Sequence, residues 1–210
     1  MAERRPPTIS SRKQPKQARS AELVAAILEA ALQVLAKEGA HRFTTARVAE
    51  KAGVSVGSLY QYFPNNAAIL FRLQSDEWRE TTGMLREILE DLCMPPLERL
   101  RMLVHVFLRS ECEEAEVRVA LNDAAPLYRD APEAREARET IDDTFRAFMR
   151  ETLPEATRDL AGELVMNAFS TLGKEFSESP RAEAEIETYG NAMADMLCAY
   201  LESLGAKRTG

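Results

Sequence analysis

Apolar residues recur every three or four positions along most of this 210-residue chain, a spacing that places them on one face of an α-helix. The first such face carries Val24, Ile27, Ala31 and Leu35, and it ends at Gly39, a residue type that commonly follows a helix. No segment alternates apolar and polar residues as a half-buried β-strand does. The pattern therefore predicts an all-α fold of about nine helices.

The later helices are predicted to be longer. A helix over about residues 66–92 carries apolar residues for a small domain in its first half and for a larger domain in its second half. Prolines mark the links to further helices at about 96–112, 117–125 and 132–152. Two last helices follow, and their apolar faces are wider than one small domain can cover.

Residues 45–64, TARVAEKAGVSVGSLYQYFP, have the register of two short helices that cross at close range. Ala49 stands where the two backbones come nearest, and a larger side chain there would push them apart. Gly53 follows the first helix, where a left-handed backbone costs a residue with a Cβ about 1 kcal/mol or more. Ser55 precedes the second helix and can cap its free amide groups. This register predicts a helix-turn-helix motif.

The second helix of this motif is expected to rest on a small apolar core and to present its outer side chains to a partner such as a DNA major groove. The outward positions are Ser55, Val56, Ser58, Gln61 and Tyr62. An ordinary bundle loop can also contain AGVS, so the motif alone leaves that alternative open.

The residues around the motif make the chain similar to the TetR family of transcriptional repressors over about residues 21–80. The matching positions are Thr44, Thr45, Val48, Ala49, Ala52 to Ser55, Ser58 to Tyr60, Tyr62, Phe63 and Asn65. The resemblance implies phosphate contacts from Thr45, Tyr60 and the start of the fourth helix at Asn66. It also implies base-edge contacts from Ser55, Val56, Gly57, Ser58, Gln61 and Tyr62. Beyond residue 80 the chain resembles the family in architecture alone.

The expected domain organisation follows from this resemblance and from the helical pattern. It comprises a basic arm at 1–20, a helix-turn-helix DNA-binding domain at 21–66, a larger helical effector-binding and dimerisation domain at 67–205, and a tail at 206–210.

One position departs from the family pattern, because Asn66 stands where the family usually has a lysine. Asparagine keeps hydrogen bonding but loses the charge, and each lost ionic contact lowers the salt slope of DNA binding by roughly 0.9. The basic arm is a candidate replacement, since it can lie along phosphates or enter the minor groove; a tail that only aids solubility is the alternative. The arm residues of interest are Arg12, Lys13, Lys16 and Arg19.

The charge of the chain is unevenly divided. Residues 1–64 hold ten Lys or Arg and five Glu, net +5, whereas residues 65–210 hold 17 basic and 29 acidic residues, net −12. The overall charge of −7 therefore hides a basic N-terminal part suited to phosphate. No apolar run is long enough for a signal peptide or a membrane span, so we expect a cytoplasmic protein without membrane contact.

The resemblance implies that the last two helices pair with their copies across a two-fold axis as a four-helix bundle. Small residues are expected to permit close approach there, namely Gly162, Ala168, Gly173, Ala192 and Ala194. A homodimer of this kind would bind a palindromic double-stranded operator, with recognition helices about 34 Å apart. The predicted dimer interface comprises Leu164, Ala168, Phe169, Leu172, Phe176, Tyr189, Met193, Met196 and Tyr200.

A small apolar effector is expected to enter the larger domain and to release the DNA by shifting the long fourth helix. The candidate pocket residues are Trp78, Met102, His105, Phe107, Tyr128, Phe145, Met149, Met166 and Phe169. A ligand-independent architectural or adaptor protein is the alternative; a fully packed larger domain would favour it, and a cavity there would argue against it.

An enzyme finds little support in the sequence. The chain has two histidines, no GxSxG, no phosphate-binding glycine loop and no metal-ligand spacing, so no cofactor or metal is predicted. Its three cysteines are far apart and suggest neither a disulfide framework nor a zinc site. Cys112 lies among glutamates, which should disfavour its thiolate.

Overall fold

The computed structural model describes residues 18–113, 115–127 and 132–207, and these ranges contain nine α-helices and no β-strand. The all-α prediction is confirmed. The helices are Ala18–Glu38 (α1), Thr45–Lys51 (α2), Val56–Tyr60 (α3), Asn66–Leu89 (α4), Pro96–Glu113 (α5), Ala115–Ala124 (α6), Pro132–Thr152 (α7), Glu155–Ser177 (α8) and Glu183–Ser203 (α9).

The described residues divide into two compact units. The first comprises those up to Trp78 and those between Glu116 and Ala137, and the second comprises those between Arg79 and Ala115 and those from Arg138 onwards. The division falls within α4, which begins in the first unit and ends in the second. The first unit therefore includes α6, which the sequence-based boundary at residue 66 placed in the larger domain. Periodicity showed that α6 has an apolar face but could not show which core that face joins.

The first unit is built on apolar side chains from α1, α2, α3, α6 and the first half of α4. Ile27 of α1 and Val48 of α2 are fully buried, and Leu59 of α3 and Ile69 of α4 join them in the same cluster. Leu121 of α6 is 1% exposed and completes this core. The cluster positions the short helices of the motif although five and seven residues are too few for independent helices.

The second unit has a core of apolar residues from the end of α4 and from α5, α7, α8 and α9. Helices α5 and α9 run antiparallel: Arg101 pairs with Asp195 at 2.6 Å, and Arg109, two turns later on α5, pairs with Glu183 at 2.6 Å. Between these ion pairs, the ring of His105 lies 2.8 Å from the position that a Cβ would take at Gly190. A Cβ at Gly190 would therefore displace the His105 ring from between α5 and α9.

The long helix α4 is three residues shorter than predicted. It ends at Leu89 rather than at residue 92, and Leu92 is 77% exposed rather than packed on the larger domain. The buried side chain of Arg99 lies at this helix end, and its Nη1 donates a hydrogen bond to the carbonyl of Leu89. A buried cation at a helix C-terminus stabilises the exposed carbonyl dipoles.

Candidate nucleic-acid interface

The helix-turn-helix geometry is present at α2 and α3. Ala49 is 1% exposed in the core beneath the two helices, as expected for the close crossing. Gly53 has φ +67°, its amide donates to Glu50 O at 3.1 Å, and the Val54 amide donates to Ala49 O at 2.9 Å. These two bonds form a Schellman motif, which requires the left-handed residue that glycine supplies.

Two side-chain caps fix where the helices of the motif begin. The hydroxyl of Thr44 accepts the Arg47 amide at 3.3 Å at the start of α2, and Ser55 Oγ accepts the Ser58 amide at 3.0 Å at the start of α3. Ser55 Oγ also lies 2.8 Å from Ser58 Oγ. The two serines predicted to approach bases therefore bond to each other, and Ser55 holds the helix end as well.

The exposed face of α3 carries Val56, Gly57, Tyr60 and Gln61. These residues share one side of the helix, because positions one, two, five and six of a 3.6-residue period point in similar directions. Val56 is 38% and Tyr60 39% exposed, whereas Leu59 on the opposite side is fully buried. This face is free to meet a partner.

Tyr62 does not belong to this face. The prediction of a base-edge contact was wrong for this residue, because Tyr62 is 8% exposed and lies in the core cluster of the first unit. Two residues after Tyr60, the helical period has turned its ring away from solvent and towards the core.

Thr45 and Tyr60, which were expected to contact phosphate, bond to each other. Thr45 Oγ1 and Tyr60 Oη lie 3.1 Å apart and join the start of α2 to the end of α3. Each hydroxyl has one proton, so the pair uses one proton internally and keeps the other for an acceptor such as a phosphate oxygen.

The start of α4 is capped by both asparagines that precede or open it. Asn65 Oδ1 accepts the Ala68 amide at 2.8 Å, and Asn66 Oδ1 accepts the Ala67 amide at 2.9 Å. Asn66 is exposed, as its predicted phosphate contact requires. A lysine at this position would not disturb the cap that Asn65 provides.

Two further features concern residues next to the motif. Arg47 forms an ion pair with Glu38 and donates to Arg42 O at 3.3 Å, so α2 is fastened to the end of α1. Periodicity could not indicate this contact, since neither residue lies at an apolar position. The arm residues Arg12, Lys13 and Lys16 lie outside the described residues, as does the side chain of Arg19.

Two clefts are lined by described residues of the second unit. The first, of about 550 Å³, lies between α7 and α8 and contains three predicted pocket residues, Phe145, Met149 and Met166. Its rim is more charged than predicted, because Arg146, Arg150, Arg158 and four carboxylates also line it. The second, of about 510 Å³, lies between α4 and α5 and is lined by His105 and Met84.

The other predicted pocket residues lie elsewhere. Phe107 and Phe169 stack on each other at 4.2 Å between ring centroids and fill the second core, while Met102 is 43% exposed. Trp78 packs on the core of the first unit, and Tyr128 is outside the described residues. The helical spacing of apolar residues predicted which helix faces carry aromatic and methionine side chains. It does not show whether such a face fills the core or lines a cleft, because both have the same sequence pattern.

The predicted dimer face divides into two groups. Leu164 is 52% and Met196 48% exposed, and Ala168, Leu172, Tyr189 and Tyr200 are half-buried. In contrast, Phe169, Phe176 and Met193 are buried within the subunit, so the expectation of a free surface was wrong for them. Leu160, four residues before Leu164 on the same apolar face of α8, adds to the first group at 74% exposure.

Three of the small residues expected at that interface pack within the subunit, whereas Ala192 is exposed and Ala168 is half-buried. The ring of Phe107 lies 2.5 Å from the position of a Cβ at Gly173, Gly162 faces Met149, and Ala194 is fully buried. These three residues permit close approach of helices within one subunit. Their spacing in the sequence does not distinguish such packing from packing between two subunits.

Burial raises the pKa of two of the three thiols. For Cys112, burial is the main cause and Glu111 and Glu113 add to it, while Arg181 opposes them. The glutamates thus act in the direction expected from the sequence. Burial likewise raises the pKa of Cys198, whose thiol faces Leu97 O at 3.6 Å. These thiols are poor nucleophiles.

None of the helices among the described residues is long and apolar enough to cross a membrane. The sequence also matches two protein-family models. Residues 27–73 match the model of bacterial regulatory proteins of the tetR family, and residues 95–204 match that of the tetracyclin repressor-like C-terminal domain.

Two curated relatives match part of the chain. Nucleoid occlusion factor SlmA of Vibrio campbellii is 39% identical over 83 residues, which are 39% of this chain and 42% of that protein. The fatty acid metabolism regulator protein of Bacillus subtilis is 35% identical over 65 residues, which are 31% of each chain. The matches thus span less than half the length of these relatives.

Two solved structures have a similar fold. One is PfmR, a TetR-family regulator from Thermus thermophilus, with a TM-score of 0.66, 20% identity and coverage of 82% of this chain and 97% of that one. The other is the regulator FadR from Bacillus subtilis in complex with stearoyl-CoA, with a TM-score of 0.66, 15% identity and coverage of 83% and 97%.

Proposed function

The chain belongs to the TetR family of transcriptional regulators, and we propose that it acts as a homodimeric repressor that a small molecule releases from a palindromic operator. The observation that carries the proposal is the exposed face of α3 on a buried and capped support. Val56, Gly57, Tyr60 and Gln61 are presented together, while Ala49 and Leu59 fix the helix beneath them. A second helix held in this way fits a major groove.

The homodimer is supported by the exposed apolar residues of α8 and α9. Leu160, Leu164 and Met196 are each about half exposed or more. A partner subunit would cover their apolar surface, and removing that surface from water would stabilise the dimer. Two-fold symmetry would pair the two recognition helices with two half-sites. Leu164→Glu should therefore give a monomer in analytical ultracentrifugation, and Glu163→Gln, next to it, should leave the dimer intact.

The proposed effector site is the cleft between α7 and α8 in the second unit. Phe145, Met149 and Met166 offer an apolar wall, while the charged rim favours a ligand that also has a polar or charged group. The expected apolar effector is therefore better described as amphiphilic. Because FadR of Bacillus subtilis was solved with stearoyl-CoA, acyl-CoA thioesters and free fatty acids are the first probes to test.

The release step follows from the continuity of α4. Its last turns pack in the second core through Leu85, Ile88 and Leu89, and its first residues contribute to the first core. A ligand that binds the DNA-incompetent shape more tightly would shift α4 and change the spacing of the recognition helices. A ligand with equal affinity for both shapes would release nothing.

The decisive experiment is selection of bound fragments from the host genome, with and without the candidate effectors. A repressor should enrich one palindromic sequence, and an effector should abolish that enrichment. The absence of any enriched palindrome would contradict the proposal. The paired variant Gln61→Ala should retain the fold and bind with relaxed sequence preference, since glutamine is a good partner of adenine.

A ligand-independent architectural or adaptor DNA-binding protein is the second candidate, and one of the similar proteins, SlmA, is named as a nucleoid occlusion factor rather than as a regulator of metabolism. The two clefts of the second unit argue for the effector-controlled repressor. The same selection separates the two: an enriched sequence that no effector class and no cellular extract releases would favour the second.

A further inference from the structure

Val56 is the aliphatic side chain on the exposed face of α3. It opens the helix and is 38% exposed, whereas Leu59, one turn later, is buried and anchors the helix to the core. A single exposed valine is common on protein surfaces and carries no argument by itself. Val56, however, lies among the residues that are proposed to contact bases.

The hydroxyl neighbours of Val56 are already engaged. Ser55 Oγ accepts the Ser58 amide at 3.0 Å and lies 2.8 Å from Ser58 Oγ. The hydroxyl of Tyr60 bonds to that of Thr45 at 3.1 Å. Along this face, the amide of Gln61 and the methyl groups of Val56 can therefore distinguish base pairs without disturbing these internal bonds.

The backbone around Val56 can come close to a base edge. Gly57 has no side chain, and a Cβ placed there would meet just Ser55 Oγ, at 3.8 Å, so nothing of the protein occupies the space in front of it. A close approach brings the methyl groups of Val56 within contact distance of the groove floor. The chemistry that suits them there is apolar.

We infer that Val56 contacts the 5-methyl group of a thymine in each operator half-site and selects thymine at that base pair. The inference rests on the proposed operator binding. In the major groove, thymine is the one base with a methyl group, and apolar side chains contact it. Cytosine carries a hydrogen atom at the equivalent C5 position and so offers no methyl group for this contact.

The position of this thymine can be bounded. Gln61 follows Val56 by five residues, about 7.5 Å along a helix axis, and stacked bases are about 3.4 Å apart. The thymine should therefore lie within about two base pairs of the base that Gln61 contacts. The two specificities should map to neighbouring positions of the same half-site.

The test replaces thymine by uracil, which removes the methyl group and keeps the pairing and the O4 acceptor. Synthetic duplexes of the selected operator are made with one symmetric thymine pair replaced at a time, and binding is measured by fluorescence anisotropy. We expect one replacement to weaken binding of the wild-type protein about threefold to tenfold per half-site, the effect of burying one methyl group in a fitted contact.

Variants assign that effect to Val56. Val56→Ala should bind thymine and uracil operators equally, and Val56→Thr, of similar shape, should keep part of the discrimination. Thermal melting of both variants should match the wild type because the side chain is exposed. Uracil replacement elsewhere in the duplex serves as the control and should have no effect larger than about twofold.

The outcomes separate this inference from the proposed function. If no palindrome is enriched, operator binding itself fails. If the operator is bound but every uracil duplex binds as well as the thymine duplex, Val56 does not contact a thymine methyl. The inference is equally overturned if Val56→Ala retains the full preference for thymine, since another residue then provides it.

Discussion

The hydroxyl groups of Thr45 and Tyr60 lie 3.1 Å apart, so the first residue of α2 and the last residue of α3 are joined by one hydrogen bond. Both residues are expected to contact phosphate. Because one of the two protons is used between them, the pair can donate a single hydrogen bond to DNA, whichever hydroxyl is the internal donor. They should therefore act as one contact rather than two.

The first prediction follows from this pairing. Thr45→Val and Tyr60→Phe should each weaken binding less than about threefold, because the hydroxyl that remains no longer donates internally and can donate to the phosphate. The double variant should lose about threefold to tenfold, the effect of one neutral hydrogen bond. The loss should be equal on operator and on unrelated DNA, and the salt slope should not change because no charge is removed. Additive losses in anisotropy titrations would show two independent contacts.

The second prediction concerns Asn66. Because Asn65 caps the Ala68 amide, Asn66→Lys should leave α4 intact and add an ionic contact at its start. The plot of log affinity against log salt should steepen by about 0.9 per half-site. Asn66→Gln is the neutral control and should leave the slope unchanged.

The arm offers the matching experiment. Removal of residues 1–17 stops short of α1, which begins at Ala18, and eliminates five arginines or lysines. If the arm supplies the charge that Asn66 lacks, this truncation should weaken binding and flatten the salt slope, and Asn66→Lys should restore part of both. If the truncated protein binds DNA with unchanged affinity, the arm does not contribute to DNA binding, and the alternative of a tail that only aids solubility is favoured.

Much of the fold follows from the sequence because helix boundaries depend on local chemistry. Gly53 and the prolines before α5 and α7 act within a few residues of themselves, and the predicted helix at 132–152 has the observed bounds. Packing partners depend on the whole chain instead. Phe169 and Gly173 stand on the apolar face that was predicted, but the neighbour that covers them is Phe107 of the same subunit.

More residues of the DNA-binding face than of the clefts could be predicted from the sequence, because the face depends on local chemistry. Val56, Gly57 and Gln61 lie in a short motif whose spacing determines which side is exposed. The α7–α8 cleft depends on how two helices 20 residues or more in length diverge, and its arginines are spaced like those of any solvated helix face. Sequence patterns do not distinguish these cases.

The third prediction compares two glycines of α8. A Cβ at Gly173 would lie 2.5 Å from Phe107, whose ring cannot withdraw because it stacks on Phe169. Gly173→Ala should therefore destabilise the protein by about 1–3 kcal/mol, despite the better helix propensity of alanine. Gly162→Ala is the matched control, since it meets flexible Met149 atoms at 3.4 Å and more. It should gain up to about 1 kcal/mol. Thermal melting of both variants measures the difference.

The fourth prediction concerns the thiols. Burial raises the pKa of Cys112 and Cys198 and so lowers their thiolate fraction near pH 8, whereas Cys93 is exposed. Iodoacetamide should therefore modify Cys93 first, and mass spectrometry can follow this order. In the Cys93→Ser variant, the two remaining thiols should react slowly until the protein is denatured. Because the pKa of these thiols is higher in the folded than in the unfolded protein, the free energy of unfolding should fall as the pH rises above the ordinary thiol pKa. Rapid labelling of folded Cys198 would contradict the assigned burial.

The last prediction concerns the buried guanidinium of Arg99. It is fully buried, donates to Leu89 O at the end of α4, pairs with Glu151 of α7 and lies 5.6 Å from the ring centroid of Phe148. Glu151 remains accessible to water, with 39% of its side chain exposed. Removing the carboxylate would leave a buried cation without its counter-charge, while removing the guanidinium leaves a carboxylate that water can solvate.

The two partners should therefore not be equivalent. Glu151→Ala should destabilise the protein by about 3 kcal/mol or more, and Arg99→Met, which fills similar space without charge, should cost less. The double variant should lie near Arg99→Met, because the penalty of Glu151→Ala exists only while the cation is present. Thermal melting of the four proteins gives the cycle. If Arg99→Met were the more damaging change, the bond to Leu89 O at the end of α4 would matter more to stability than the ion pair with α7.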